Sequence, residues 1–413
     1  MRVLYFHQHF NTPKGAGGSR SYEFSRQLIE RGHSVTMVCG SVKDGGVEVP
    51  ATERVGLNRG VIDGIDVIQL DLPYSNHDGL IKRAGIFLKF AWSCSWIALK
   101  ENYDVLFATS TPLTAGIPGV VMSFFRNKPF VFEVRDLWPE LPKAMGVVTN
   151  PLVLKSMSVL EWLCYRRARA CIGLSPGIVD GIKARSKSGQ RVDLIPNGCD
   201  LQLFRPGERR LLDLPGVSPE VSKNDFVCVF TGAHGVANGL HAVLDSAAVL
   251  LQRKQTHIKL VFIGDGKLKP QLKERARKEN LENCIFIDPI PKRELATILG
   301  MCDAGMMILD NIPAFYYGTS PNKFFDYLAA GLPIVNNYPG WLAGLIGDNR
   351  CGVAVPPESP EELAEAFVTL AKDRDALAKM GENSRKLGES QFDRKQLANM
   401  FVDCLESINS SSS

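Results

Sequence analysis

Val3-Leu4-Tyr5-Phe6, then Gly15-Ala16-Gly17-Gly18-Ser19, then Val35-Thr36-Met37-Val38-Cys39 stand in that order at the start of the chain. The first and third are short apolar runs of the kind that forms strands buried on both faces. Between the glycine cluster and Gly32, Phe24 and Leu28 lie one helical turn apart, which predicts a helix from about Arg20. Strand, glycine loop, helix and strand make a βαβ unit, whose crossover implies a parallel sheet. Gly17 and Gly18 let backbone approach a ligand at a helix start, where free amides favour an anion; they equally suit a plain turn.

The same rhythm continues outward. Buried-type strands are predicted at 104–108, 130–133 and 170–174, and Pro196-Asn197-Gly198 opens a turn-rich stretch to Lys223, read as the inter-domain linker. Beyond it, strands at 226–230, 259–263, 284–287, 304–309, 332–335 and 352–355 alternate with helices. One helix is opened by a capping box at Ser359-Pro360-Glu361-Glu362. The fold class is therefore α/β: two Rossmann-like, doubly wound parallel-sheet domains, residues 1–200 and 201–390, expected to face a central cleft. The chain's 413 residues suffice for two cores, and 409–413 read as a frayed tail.

Hydrophobic residues at 45 % and charged residues at 22 % exclude a disordered or fibrous chain. A net charge of +4 is far too small for a dedicated nucleic-acid binder. The charge is uneven, with 24 basic and 18 acidic side chains in residues 1–200. Ten cysteines stand singly, without C-x-x-C or Cys/His spacing, which predicts reduced, mostly buried thiols, no metal site and a cytoplasmic protein. Residues 80–99 are strongly apolar and aromatic, with Lys82, Arg83 and Lys89 interspersed. They read either as an interfacial helix, helped by the basic stretch 155–191 to meet an anionic leaflet, or as a long buried helix.

The glycine loop is no dehydrogenase fingerprint, because Arg20 stands where a third glycine belongs and Cys39-Gly40 supplies no carboxylate for a ribose. In Gly318-Thr319-Ser320-Pro321-Asn322-Lys323, Ser320 reads as an N-cap and Pro321 as the first helical residue. The amides of Asn322 and Lys323, with the Lys323 ammonium, then suit a diphosphate, and Asp326 suits a ribose diol. A well-capped surface helix would look the same.

Asp193-Leu194-Ile195-Pro196-Asn197-Gly198-Cys199-Asp200 through Phe204-Arg205-Pro206 resembles the I-P-N-G-V-D…F-x-P hinge of family-4 retaining glycosyltransferases. Gly32-His33-Ser34-Val35 resembles their R-G-H-x-V segment, and 323–331 their E-A-x-A-x-G helix. Phe132-Glu133-Val134-Arg135-Asp136-Leu137-Trp138-Pro139-Glu140, with Thr319-Ser320-Pro321-Asn322-Lys323, looks like the bacterial O-antigen and capsule subgroup typified by fucosamine transferases. The resemblance implies a GT-B fold, an acceptor on the N-terminal domain, a nucleotide-sugar on the C-terminal one, and 391–413 as a helix returning to the N-terminal domain. It also implies retention of configuration with no cofactor and no required metal. On this basis Asp326 holds the ribose, and Thr319, Ser320, Asn322, Gly17, Gly18, Gly232 and Asn238 meet the donor. Ile290 and Pro291 fall in the base-binding loop, and Asp136 and Trp138 on the acceptor side.

Three positions depart from the family pattern. Gly318 stands at the first E-x7-E glutamate, Ala233 and Asn238 near the Arg and Lys that neutralise the leaving diphosphate, and Arg135 at the usual histidine. Lys323, with Arg135 or His234, is expected to supply the missing charge. The reading is a cytoplasmic, peripheral transferase of an N-acetylated amino sugar from UDP to a polyprenyl-diphosphate-linked glycan. The rivals are a GT-B-type nucleotide-sugar 2-epimerase and a non-catalytic nucleotide-sugar-binding subunit.

Overall fold

The computed structural model describes residues 1–15, 17–42, 45–50, 56–75, 78–126, 128–207 and 221–410. Ala16 of the glycine loop, residues 208–220 of the expected linker and the last three residues of the expected tail lie outside the described residues. The chain forms two compact units: Met1–Asn197 with Tyr317–Ser320 and Lys395–Ser413, and Gly198–Tyr316 with Pro321–Arg394.

The first unit is built on eight strands: Arg2–Phe6 (β1), Ser34–Val42 (β2), Leu57–Ile62 (β3), Ile65–Tyr74 (β4), Val105–Thr109 (β5), Phe130–Val134 (β6), Ala170–Gly173 (β7) and Arg191–Leu194 (β8). Their order is β3-β4-β2-β1-β5-β6-β7-β8. Every pairing is parallel except β3 with β4, a hairpin that the sequence reading did not include. Its turn is Asp63-Gly64 with φ of 48° and 85°, the two left-handed residues a two-residue hairpin needs. Alternate residues of the central strands feed opposite faces. Leu4, Phe6, Leu106 and Phe132 meet helices Leu80–Lys100, Ile117–Phe125 and Pro151–Arg167, while Tyr5, Met37 and Phe107 meet helices Arg20–Glu30 and Arg394–Ser410.

Two sequence expectations change here. Helix Leu80–Lys100 buries Ile86, Phe90, Cys94 and Ala98 on one side and exposes Trp92 and Trp96 on the other, so it is not a wholly buried helix. Asn409 and Ser410 belong to the last helix rather than to a tail, because Arg31 pairs with Asp403 and Glu406, and His33 Nε2 lies 2.7 Å from Glu406.

The second unit has strands Phe226–Thr231 (β9), Ile258–Ile263 (β10), Cys284–Ile287 (β11), Ala304–Met307 (β12), Ile334–Asn336 (β13) and Gly352–Ala354 (β14), ordered β11-β10-β9-β12-β13-β14 and all parallel. The predicted capping box does not form. Ser359 Oγ turns back to the Pro357 carbonyl instead of the helix amides, whereas Asp373 caps the next helix through the Ala376 amide at 2.9 Å. None of the ten cysteines, all among the described residues, forms a disulfide, and eight are buried.

Candidate functional site

In the second sheet the chain leaves β9 toward β11 on one side and then starts again at β12 on the other. The crevice at the carboxyl ends of β9 and β12 is thus the topological switch point, where ligands of open α/β sheets bind. β9 runs out into Gly232, whose φ of +121° disfavours any side chain and whose missing Cβ would stand 3.5 Å from Lys323 Cε. Lys323 comes from helix Asn322–Ala330. That helix is fixed by Tyr327, four residues on and on the same side, whose hydroxyl accepts from the Thr231 amide at 3.0 Å and donates to the Val229 carbonyl at 3.1 Å. Gly305 on β12 makes room for the Tyr327 ring.

The Lys323 ammonium lies 3.7 Å over the Phe230 ring and donates to Asn238 Oδ1 at 3.1 Å, while Asn238 Nδ2 donates to the Ala233 carbonyl. Among the described residues no carboxylate pairs with it. Desolvation pushes its pKa down to about 7. The structure therefore brings Lys323, Gly232 and Asn238 into one crevice.

The helix opens one residue later than the sequence predicts. Pro321, not Ser320, is its N-cap, and the Ser320 hydroxyl instead accepts from the Asn197 amide at 3.2 Å. Ser320 and Thr319 belong to the first unit, and Thr319 Oγ1 is buried without a partner. Asn322 and Lys323 thus hold the first two helical positions, whose amides have no acceptor within the helix. Asp326, one turn further, is buried and its Oδ1 has no hydrogen-bond partner. Burial raises its carboxyl above the usual range against the pull of Lys292 and Arg394. A ligand hydroxyl would satisfy that oxygen.

The surroundings of His234 favour a neutral ring over the expected cation. Its ring is fully buried among Phe230, Phe262 and Phe286, both nitrogens lack partners, and burial with Lys269 and Lys323 lowers its pKa to about 4. Ile290 and the exposed Pro291 follow β11, with Pro291 capping helix Lys292–Leu299. Lys269 holds the base of that loop, bonding the Gly264 and Ile287 carbonyls and Asp288.

The first unit has its own switch point at β1, between β2 and β5. Immediately after β1, His7 and Gln8 are buried, and His7 Nδ1 and both Gln8 side-chain atoms are unpartnered. Burial and the Arg135 charge hold His7 well below its ordinary pKa and His9 at about 4. Arg135 Nε bonds Thr109 Oγ1 at 2.7 Å and Glu133 at 3.2 Å, and Arg135 Nη2 bonds Ser21. Glu133 also takes Arg20, which continues to the Ile195 carbonyl, so two guanidinium groups share one buried carboxylate. Asp136 accepts from Thr111 at 3.1 Å, and burial raises its carboxyl. Trp138 Nε1 is buried without a partner. Gly17 lies so close to Asn11 that a Cβ would come within 2.7 Å of its side chain, and Gly18 leads into the Arg20–Glu30 helix. His7, Gln8, Arg20 and Glu133 were not singled out from the sequence; the polar His7-Gln8-His9 step directly after a buried strand is the signal that could have found them.

Residues 15–198 match the "Glycosyl transferase 4-like domain" model and 218–387 the "Glycosyl transferases group 1" model. A probable glycosyltransferase, WbjE, of Pseudomonas aeruginosa is 22 % identical over 358 residues, 85 % of this chain and 87 % of the relative. The O-antigen chain mannosyltransferase C of Escherichia coli is 21 % identical over 268 residues, 65 % and 68 % of the two chains. Sucrose-phosphate synthase of Thermosynechococcus elongatus superposes with a TM-score of 0.77 at 15 % identity, over 99 % of both chains. HepE of Anabaena, solved with UDP and glucose, gives 0.68 at 18 % identity, covering 98 % of this chain and 100 % of the other.

Proposed function

We propose, for a chain that is a glycosyltransferase of the GT-B type carrying a glycosyl transferase 4-like and a group 1 domain, that it transfers an N-acetylated amino sugar from UDP to a polyprenyl-diphosphate-linked glycan. The transfer retains configuration, needs no metal or cofactor, and serves bacterial surface polysaccharide synthesis at the cytoplasmic face of the membrane. The O-antigen relative supports the pathway class, and the UDP complex of HepE supports the donor class.

The observation that carries the reading is the Lys323 ammonium, without a carboxylate partner among the described residues, beside Gly232 and the open start of helix Asn322–Ala330. Breaking a glycosyl–phosphate bond builds negative charge on the leaving diphosphate. Lys323 and the Asn322 and Lys323 amides would stabilise that charge, with no group having to reorganise as it develops. Asp326 would accept from the ribose hydroxyls, and the loop at Ile290 and Pro291 would meet the base. In the first unit, Arg135, Asp136 and Trp138 would face the acceptor.

The test is UDP release from a panel of UDP-sugars with chelator present, with and without a bacterial polyprenyl-diphosphate-sugar extract. Extract-dependent release is the expected result, and the responding donor names the sugar. A new UDP-sugar formed without extract would make the protein a 2-epimerase. UDP binding without any release would make it a binding subunit.

A further inference from the structure

The first unit carries an apolar face that its core does not use. Helices Leu80–Lys100, Ile117–Phe125 and Pro151–Arg167 cover one face of the first sheet. Their outward sides expose Trp92 (68 %), Trp96 (50 %), Phe124 (59 %), Phe125 (75 %), Leu152 (75 %) and Trp162 (40 %). Scattered exposed apolar residues are ordinary, but the aromatic ones here are bridged from helix to helix. Trp92 and Trp96 rings lie 6.2 Å apart, Arg126 reaches from the end of the second helix to the Ala98 and Leu99 carbonyls of the first, and Arg167 of the third lies 3.7 Å over Phe124 of the second.

Cations stand against the same rings: Lys100 is 5.9 Å from the Trp96 centroid and Arg166 is 5.1 Å from that of Trp162. Helix Leu80–Lys100 contains no carboxylate; of its four cations Lys82 pairs with Asp78 and Arg83 lies over the Tyr74 ring, which leaves Lys89 and Lys100 exposed. The one carboxylate of Pro151–Arg167 is Glu161, which is buried and paired with Arg185. The face is thus aromatic and positively charged. We propose that this three-helix face docks on an anionic phospholipid bilayer, its rings at headgroup depth and its cations on lipid phosphates. A second copy of the same face would bring like charges together, and among the described residues no helix is long and apolar enough to cross a membrane. The proposal goes beyond the transfer reaction and does not depend on which sugar is moved.

The test is flotation of the whole protein on phosphatidylcholine vesicles with and without phosphatidylglycerol, at low and high salt. Wild type is expected to float with the phosphatidylglycerol vesicles at low salt, with a blue-shifted tryptophan emission, and to be released by salt. Trp92→Ser with Phe125→Ser, both at highly exposed positions, is expected to weaken partitioning at least about tenfold (about 1.4 kcal/mol) while UDP affinity stays unchanged. Lys100→Glu with Arg166→Glu should act in the same direction. Failure to float on either vesicle, flotation indifferent to phosphatidylglycerol, or a dimer that the Trp92→Ser and Phe125→Ser pair dissociates while vesicle binding persists would each overturn the proposal. Extract-dependent UDP release in a protein that does not float would overturn docking and leave the transferase reading standing.

Discussion

Lys323 and Lys269 show how the same residue type takes two roles. Lys269 is buried with three acceptors, the Gly264 and Ile287 carbonyls and Asp288, so its charge is spent on holding strand ends. Lys323 has only Asn238 and the face of Phe230, and its ammonium is lowered to about 7. A bound diphosphate would raise it again, which links binding to proton uptake. The direction follows from that shift: below about 7 both the empty and the bound protein hold the proton, and affinity is flat. Above about 7 the empty site is neutral and must take up a proton to bind, so UDP affinity falls as pH rises. Calorimetric titration of UDP across neutral pH, in buffers of different ionisation enthalpy, should show this uptake in wild type and not in Lys323→Ala. The same substitution should lower turnover about a hundredfold, as losing one charge-stabilising donor does; a loss under about tenfold would remove Lys323 from the chemistry.

At the scale of elements, local sequence grammar was read correctly where burial enforces it and wrongly where it does not. The strands 226–230 and 130–133 are apolar on both faces and sit in the structure almost as read. The edge hairpin β3–β4 escaped because Leu57–Ile62 is half-exposed and its polar residues break the alternation, although Asp63-Gly64 marked the turn. Ser359 fits a capping pattern, yet its backbone and the Pro357 carbonyl claim the hydroxyl. Asp373→Ala should therefore cost about 1 kcal/mol in chemical unfolding, while Ser359→Ala should cost a few tenths at most. The site shows the same division. The helix start that presents Lys323 and Asp326 is legible in the sequence from Pro321-Asn322. Tyr327, which aims that helix, is not, because its role depends on which strand end it meets, and spacing carries no such information. The sequence offers His234 as an alternative loop cation because nothing in it places three phenylalanines around the ring.

For the whole molecule, the last helix closes a core that begins with the first strand. Phe401 stacks on Phe24 at 4.5 Å and meets Phe107 edge-on at 4.8 Å, so the first unit is complete only after the chain has traversed the second. The second unit keeps a core of its own, built on Phe226, Phe230, Phe262 and Phe367. Two cores in one chain make a single unfolding free energy ill-defined, and separate transitions are the physical expectation. Phe401→Ala leaves a cavity in the first core worth about 3–5 kcal/mol. That should lower one calorimetric transition by about ten degrees and leave the other in place. On the proposed function UDP is held by the second unit and should raise that unit's transition alone, which identifies the two. A single transition that Phe401→Ala lowers and UDP raises would mean that the two cores unfold as one cooperative block.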